Sequence, residues 1–137
     1  MKKNLFLLAA LIFNYCCQAQ VKDYKVVFDI SSADSVSQQA VVREVEIIKN
    51  SSPESKLEVV IYGQALSLAL KDKSAYATAI QKLVAMKDVS FRVCAITMKR
   101  NNVDKSQLLP GIEAVPDGIY EIITKQREGW GYIKVAH

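Results

Sequence analysis

Cys94 is the residue around which chemistry would be organised. It lies in Phe91-Arg92-Val93-Cys94-Ala95-Ile96-Thr97-Met98, and the basic, amide-rich stretch Lys99-Arg100-Asn101-Asn102 follows directly. The apolar run reads as a buried strand over Val89 to Thr97, with the basic stretch as the loop beyond it. In open α/β sheets ligand sites gather outside the carboxyl ends of the strands, so a sulfur in the C-terminal half of this strand is expected at that edge, partly accessible. A thiol ionises more readily beside positive charge or oriented amides. Cys94 is therefore the candidate catalytic residue, and Lys99, Arg100, Asn101 and Asn102 are the candidate substrate-binding residues. A thiolate of this kind can accept a sulfane sulfur and pass it on by exchange, with no metal, cofactor or separate base. The competing account makes Cys94 a small packed hydrophobe and the four residues after it the polar lip of a solvated loop.

Other chemistries find little support. The turn after the first strand, Asp29-Ile30-Ser31-Ser32-Ala33-Asp34, has no glycine, so the dinucleotide fingerprint is absent. Ser31-Ser32 could line a flavin-type phosphate loop, but an N-cap turn explains it more simply. The one histidine, His137, has no spaced partner for a metal site or a Cys-His pair.

The elements that must position Cys94 follow an alternating pattern. Strands are expected at 24–30, 57–62, 89–97, 112–115 and 130–135. Helices are expected at 35–49, with Asp34 among the cap candidates, at 75–86 after Ser74, and after Asp117, with Gly129 closing the last one. Ala65 to Leu70 reads as one or two helical turns beyond the second strand. Strands and helices in this order imply βαβ crossovers, hence an α/β fold: a three-layer α/β/α sandwich on a mostly parallel five-stranded sheet. The first long helix carries two apolar ribs, Val36/Ala40/Ile47 and Val41/Val45/Ile48. With Ala65 to Leu70 and Trp130, these supply more apolar surface than one small sheet can cover, which points to a homo-oligomer.

The first twenty residues have the form of a signal peptide: basic Lys2-Lys3, an apolar stretch from Leu5 to Phe13, and small residues leading to Ala19. The stretch is too short for stable membrane insertion, which needs about 20 apolar residues. Cleavage after Ala19 or Gln20 is expected, with a periplasmic or secreted product. Acylation at Cys16 or Cys17 is the lipoprotein alternative, disfavoured because Phe13-Asn14-Tyr15 lacks small residues. Cleavage removes both of those cysteines and leaves Cys94 as the single thiol, unable to form an internal disulfide. The net charge of +4 drops to +2 once Lys2 and Lys3 are set aside. With no basic stripe interleaved with aromatics, nucleic acid is not the expected partner.

Two motifs in this order carry a family resemblance: Phe91-Arg92-Val93-Cys94, and Val115-Pro116-Asp117-Gly118-Ile119-Tyr120-Glu121 running into Gln126-Arg127-Glu128-Gly129-Trp130-Gly131-Tyr132-Ile133-Lys134. Through them residues 24–135 resemble the DsrE/DsrF-like sulfur-relay family. The resemblance implies one α/β domain over residues 21–137, assembly into trimers or hexamers, and a persulfide-carrying cysteine at Cys94. Familiar relay members are cytoplasmic, whereas this chain reads as exported, so the sulfur donor and acceptor are not carried over. The expected activity is at most that of a sulfurtransferase-like carrier. The alternative is a non-catalytic oligomeric protein of the same fold that binds a small ligand or serves a structural role.

Overall fold

The structure is a computed structural model in which residues 24–135 are described. The expected signal peptide lies outside those residues. Five strands form one sheet: β1 (Lys25–Ile30), β2 (Lys56–Ile61), β3 (Val89–Cys94), β4 (Glu113–Val115) and β5 (Gly131–Val135). Their order across the sheet is β4-β3-β2-β1-β5, and every neighbouring pair is parallel. The expected α/β architecture is therefore present.

Alternation along the strands decides which side chains meet which layer, because successive residues point to opposite faces. Val26, Phe28 and Ile30 of β1, Leu57, Val59 and Ile61 of β2, and Val89, Phe91 and Val93 of β3 belong to one large apolar cluster. That cluster is closed by Val41, Val42 and Val45 of α1 (Ser35–Ser51), by Ile80 and Leu83 of α2 (Ala77–Val84), and by Leu66 and Leu68 of a 3-10 helix at Gly63–Ala69. Met98, Leu108, Leu109 and Ile112, from the connection between β3 and β4, join it as well. The opposite face has a much smaller cluster of Val27, Val60 and Ile122, with Tyr62 against it. It is roofed by α4 (Gly118–Arg127), whose buried residues are Gly118 and Ile122.

Three expectations about the elements change. The 3-10 segment is packed inside the monomer's own core, with Ala65, Leu66, Leu68, Ala69 and Leu70 all buried, so it offers no surplus apolar surface. Of the two ribs on α1, Val41 and Val45 turn inward, while Val36 and Ile47 of the other are about half exposed at 53% and 51%. The third correction concerns β3. It ends at Cys94 rather than Thr97, and Ala95–Arg100 forms a short helix, α3. Ile96 and Thr97 are β-branched and read as strand, but Cys94 already pairs with Val115, the last residue of β4, so the ladder has no further partner on that side.

Candidate functional site

Cys94 is the last residue of β3 and also the N-cap of α3. The chain leaves β3 through residues packed on the large cluster, whereas it leaves the neighbouring β4 for α4 on the other face. Adjacent strands whose connections depart to opposite faces define the switch point of an open parallel sheet, where a crevice opens at the carboxyl ends. Cys94 lies at that point.

The first residue of α4 closes over it. Asp117 caps this helix by accepting hydrogen bonds from the amides of Ile119 (2.9 Å) and Tyr120 (3.3 Å). Gly118 then comes so near the sheet that a Cβ there would lie 3.1 Å from the Cβ of Cys94 and 3.2 Å from Cγ1 of Val60. The missing side chain is what lets the helix approach. The far end of α4 closes on Gly129, whose amide donates to the Gln126 carbonyl while that of Trp130 donates to Lys125.

Cys94 is only 6% exposed, less than the partial accessibility expected from sequence, yet it belongs to neither apolar cluster. Burial pushes its thiol up. The Gly118 amide, the Thr97 amide and hydroxyl, and the Ile96 amide favour the charged sulfur and outweigh this, so the thiol ionises below its ordinary value. Donors on both sides of the sulfur, from the starts of α3 and α4, favour the thiolate.

Lys99 and Arg100 lie at the opposite end of α3, about 7–9 Å along its axis from the Cys94 position, and Asn101 and Asn102 follow it. Lys99 and Arg100 occupy its last turn, where cations offset the negative end of the helix dipole. The amide of Asn101 is spent on the carbonyls of Thr97 and Met98, and that of Asn102 on Lys99. Neither is free to hold an anion. Lys99 and Asn102 do line a groove of about 500 Å³, with Ala95, Met98, Asp104, Lys105 and Ala114. The groove adjoins Cys94 through Ala95, but the sulfur does not line it. Gly118, which packs against Cys94, and Thr97, which favours its thiolate, were not singled out from sequence as site residues.

The remaining polar side chains of the thinner face form two clusters. Asp29 accepts from the Tyr132 hydroxyl (2.7 Å) and from Lys134 Nζ (2.8 Å), which also reaches Ser31 Oγ and the Tyr62 hydroxyl. Glu58, 3% exposed, accepts from Ser90 Oγ (3.0 Å) and faces Lys125 (3.4 Å) and Arg92 (3.8 Å). Arg92 in turn pairs with Glu113. Among the described residues no group of three or more His, Cys, Asp or Glu is arranged to hold a metal ion, and no helix is long and apolar enough to cross a membrane.

Comparison with known proteins decides the family. The DsrE/DsrF-like family model matches residues 9–135. The chain belongs to the DsrE/DsrF-like family. Among solved structures, this family member is similar to a protein of unknown function from Methanobacterium thermoautotrophicum, at 29% identity and a TM-score of 0.76, over 82% of this chain and 99% of that one. It also shares its fold with the ychN protein from E. coli, at 13% identity and a TM-score of 0.70, over 82% of this chain and 98% of that one. No curated protein matches it.

Proposed function

We propose that this chain is an exported DsrE-like sulfur carrier that holds a persulfide on Cys94. The observation that carries the proposal is the position of Cys94, at the switch point of the sheet and directly beneath the close approach of Gly118. In uptake the thiolate attacks the outer sulfur of a donor persulfide. A new S–S bond forms to Cys94, the donor's S–S bond breaks, and the donor thiol leaves as a thiolate with the electron pair. Delivery repeats the exchange with an acceptor thiolate as nucleophile and Cys94 as leaving group, so no external oxidant or reductant is consumed. In this reading Lys99 and Asn102 contact the donor or acceptor, which is supported by their lining of the groove beside Ala95.

Export rests on the basic, apolar and small-residue order of the first twenty positions. N-terminal sequencing of exported protein should return a start near Gln20 or Val21. Retained Met1, or an acylated Cys16 or Cys17, overturns that part. A homo-oligomer, a trimer or a pair of trimers, is also part of the proposal. It is supported by the apolar side chains left exposed on α1 (Val36, Ile47) and on the edge strand β5 (Tyr132, Ile133). Light scattering at micromolar concentration tests it, and a monomer mass rejects it.

The test of the chemistry is intact mass after exposure to a persulfide donor. The native protein should gain about 32 Da for one added sulfur, and Cys94→Ser should gain nothing. Alkylation of the native protein should follow the ionisation of one thiol, with a midpoint below the free-cysteine value of about 8.5. A thiol that resists alkylation until the protein unfolds sinks the carrier and leaves the non-catalytic reading.

A further inference from the structure

Ile30, Ile61 and Val93 pair in register across β1, β2 and β3, so the residues that come next, Ser31, Tyr62 and Cys94, form the following row at the carboxyl edge of the sheet. By alternation this row belongs to the thinner face, where Tyr62 packs on Val27, Val60 and Ile122. Backbone bonds fasten it: the Tyr62 amide donates to the Ile30 carbonyl (3.2 Å), and the Gln64 amide to the Ser31 carbonyl (3.0 Å). Gly63 makes the turn between them with φ +58°, a conformation that favours glycine. A Cβ on Gly118 would lie 3.6 Å from the Cβ of Tyr62 as well as 3.1 Å from that of Cys94, so both side chains start against the first residue of α4.

Lys134 ties this row to the buried Asp29. Its ammonium has three protons and donates to Asp29 Oδ1 (2.8 Å), Ser31 Oγ (3.1 Å) and the Tyr62 hydroxyl (3.2 Å), which uses all of them. Asp29 is anchored in turn by the Tyr132 hydroxyl (2.7 Å). A hydroxyl that accepts from an ammonium still has its own proton to give. Among the described residues, neither the Ser31 nor the Tyr62 hydroxyl has an acceptor for that proton. The row therefore presents two half-buried O–H donors, polarised by one cation and held on a fastened backbone, beside Cys94.

We propose that the hydroxyls of Ser31 and Tyr62, held by Lys134, bind the carboxylate of a small thiol persulfide, the donor from which Cys94 takes its sulfur. The donor role rests on the carrier reading of Cys94. Two donors sharing one cation suit a carboxylate, which offers an acceptor oxygen to each, and bonds to a charged acceptor are the strong ones. A thiol without a carboxylate gains nothing from them. The Cβ of Tyr62 lies near Cys94 and its hydroxyl near Lys134 of β5, two strands away, so its ring spans the space between the carboxylate site and the sulfur. The ligand is therefore of short-peptide size rather than a hydrosulfide. With its carboxylate so held, the Cys94 thiolate attacks the outer sulfur, the donor's S–S bond breaks, and the donor leaves as a thiolate with the electron pair. The hydroxyls lie on the β2 and β1 side of Cys94, whereas Ala114 of β4 lines the groove of Lys99 and Asn102, which leaves that groove to the acceptor.

The experiment is an NMR titration of the folded protein with S-methylglutathione, which has free carboxylates and no sulfur to give, and with its diethyl ester, which lacks them. Wild type should bind the acid about tenfold more tightly than the ester. Tyr62→Phe keeps the ring on Val27, Val60 and Ile122 and loses the hydroxyl, and Ser31→Ala loses the other. In each the preference for the acid should fall by about three- to tenfold, and in the double variant it should vanish. If Tyr62→Phe does not fold, Ser31→Ala decides. Hydroxyls with a purely structural role would lower the melting temperature and weaken acid and ester alike, which leaves the preference intact and overturns the inference. A wild type with no preference for the acid overturns it too. The carrier reading is tested apart from this, by the mass gained from glutathione persulfide. A wild type that binds the acid selectively yet gains no sulfur overturns the carrier and leaves the carboxylate site standing.

Discussion

Phe91 and Cys94 belong to the same six-residue strand but serve opposite faces of the sheet. On the side of Phe91, α1, α2, the 3-10 segment and the connection after α3 surround the strands with apolar side chains, and Phe28, Phe91, Leu57 and Ile80 are almost fully buried. On the side of Cys94 one ten-residue helix covers the sheet, and Val27, Val60 and Ile122 are its buried apolar contacts. The rest of that face is polar: Asp29, Glu58, Ser90, Arg92, Tyr132 and Lys134. Burial of apolar area drives folding, so the thick face holds most of the stability and the thin one is left to place ionisable groups. The sulfur sits where the thin roof begins.

Truncation in the two layers separates them most strongly. Phe91→Ala should cost about 3–5 kcal/mol, because the cavity opens in a close-packed layer that cannot collapse around it. Ile122→Ala removes the main apolar anchor of α4 and should stay near the lower end of the range for large-to-alanine changes, about 2 kcal/mol. Urea unfolding of both variants measures the difference. Equal losses would mean that the two faces carry comparable weight, against the comparison drawn above.

A smaller effect on stability with a sharper effect on chemistry is expected at Gly118. A methyl there must push against Cys94 and Val60 at 3.1 and 3.2 Å, an overpacking of the kind that costs about 1–3 kcal/mol. Alanine's better helix propensity recovers up to about 1 kcal/mol of this. The net loss in Gly118→Ala should therefore stay below that of Phe91→Ala, while the displaced amide stops supporting the thiolate. The alkylation midpoint of Cys94 should rise, and modification at neutral pH should slow. An unchanged midpoint would mean that the roof helix contributes packing alone.

Most of the layer architecture was legible in the sequence, because long apolar runs and 3.6-residue spacing record burial directly. The parallel sheet, the Asp34 and Asp117 caps and the Gly129 closure all stand where the residues suggested. The sulfur's surroundings were less legible. Ile96 and Thr97 carry strand propensity, and Cys94 makes no side-chain capping bond that would announce the start of α3, so nothing local marked the turn. The strand stops because β4 stops, which is a property of a neighbour distant in sequence. For the same reason the sequence puts Lys99 to Asn102 in the loop just beyond the strand, whereas one short helix carries them away from the thiol. The signal that could have led to Gly118 is its place directly after the Asp117 cap. A helix start needs no glycine there, so a glycine suggests close approach of the backbone to something else.

The smallest effect concerns Glu58, and its sign is the informative part. Burial pushes this carboxyl up, and Glu121 adds to the rise, while Lys125 and the Ser90 hydroxyl pull it down without reversing it. A carboxyl whose folded value is raised binds its proton more tightly in the folded chain than in the unfolded one. Its stabilising contribution is thus complete below the ordinary glutamate value of about 4.3 and is lost as pH rises through the raised folded value. At neutral pH the buried charge works against the fold even with Lys125 and Arg92 beside it, as desolvation often outweighs attraction in buried pairs. Glu58→Gln removes the charge and keeps a side chain that can still pair with Ser90 and Glu121. The melting temperature of Glu58→Gln relative to wild type should therefore climb between about pH 4 and neutrality and then level off. A difference that shrinks or changes sign over that interval would make Glu58 a net ionic anchor of the thin face, and the polar side of the sheet would then contribute to stability as well as to chemistry.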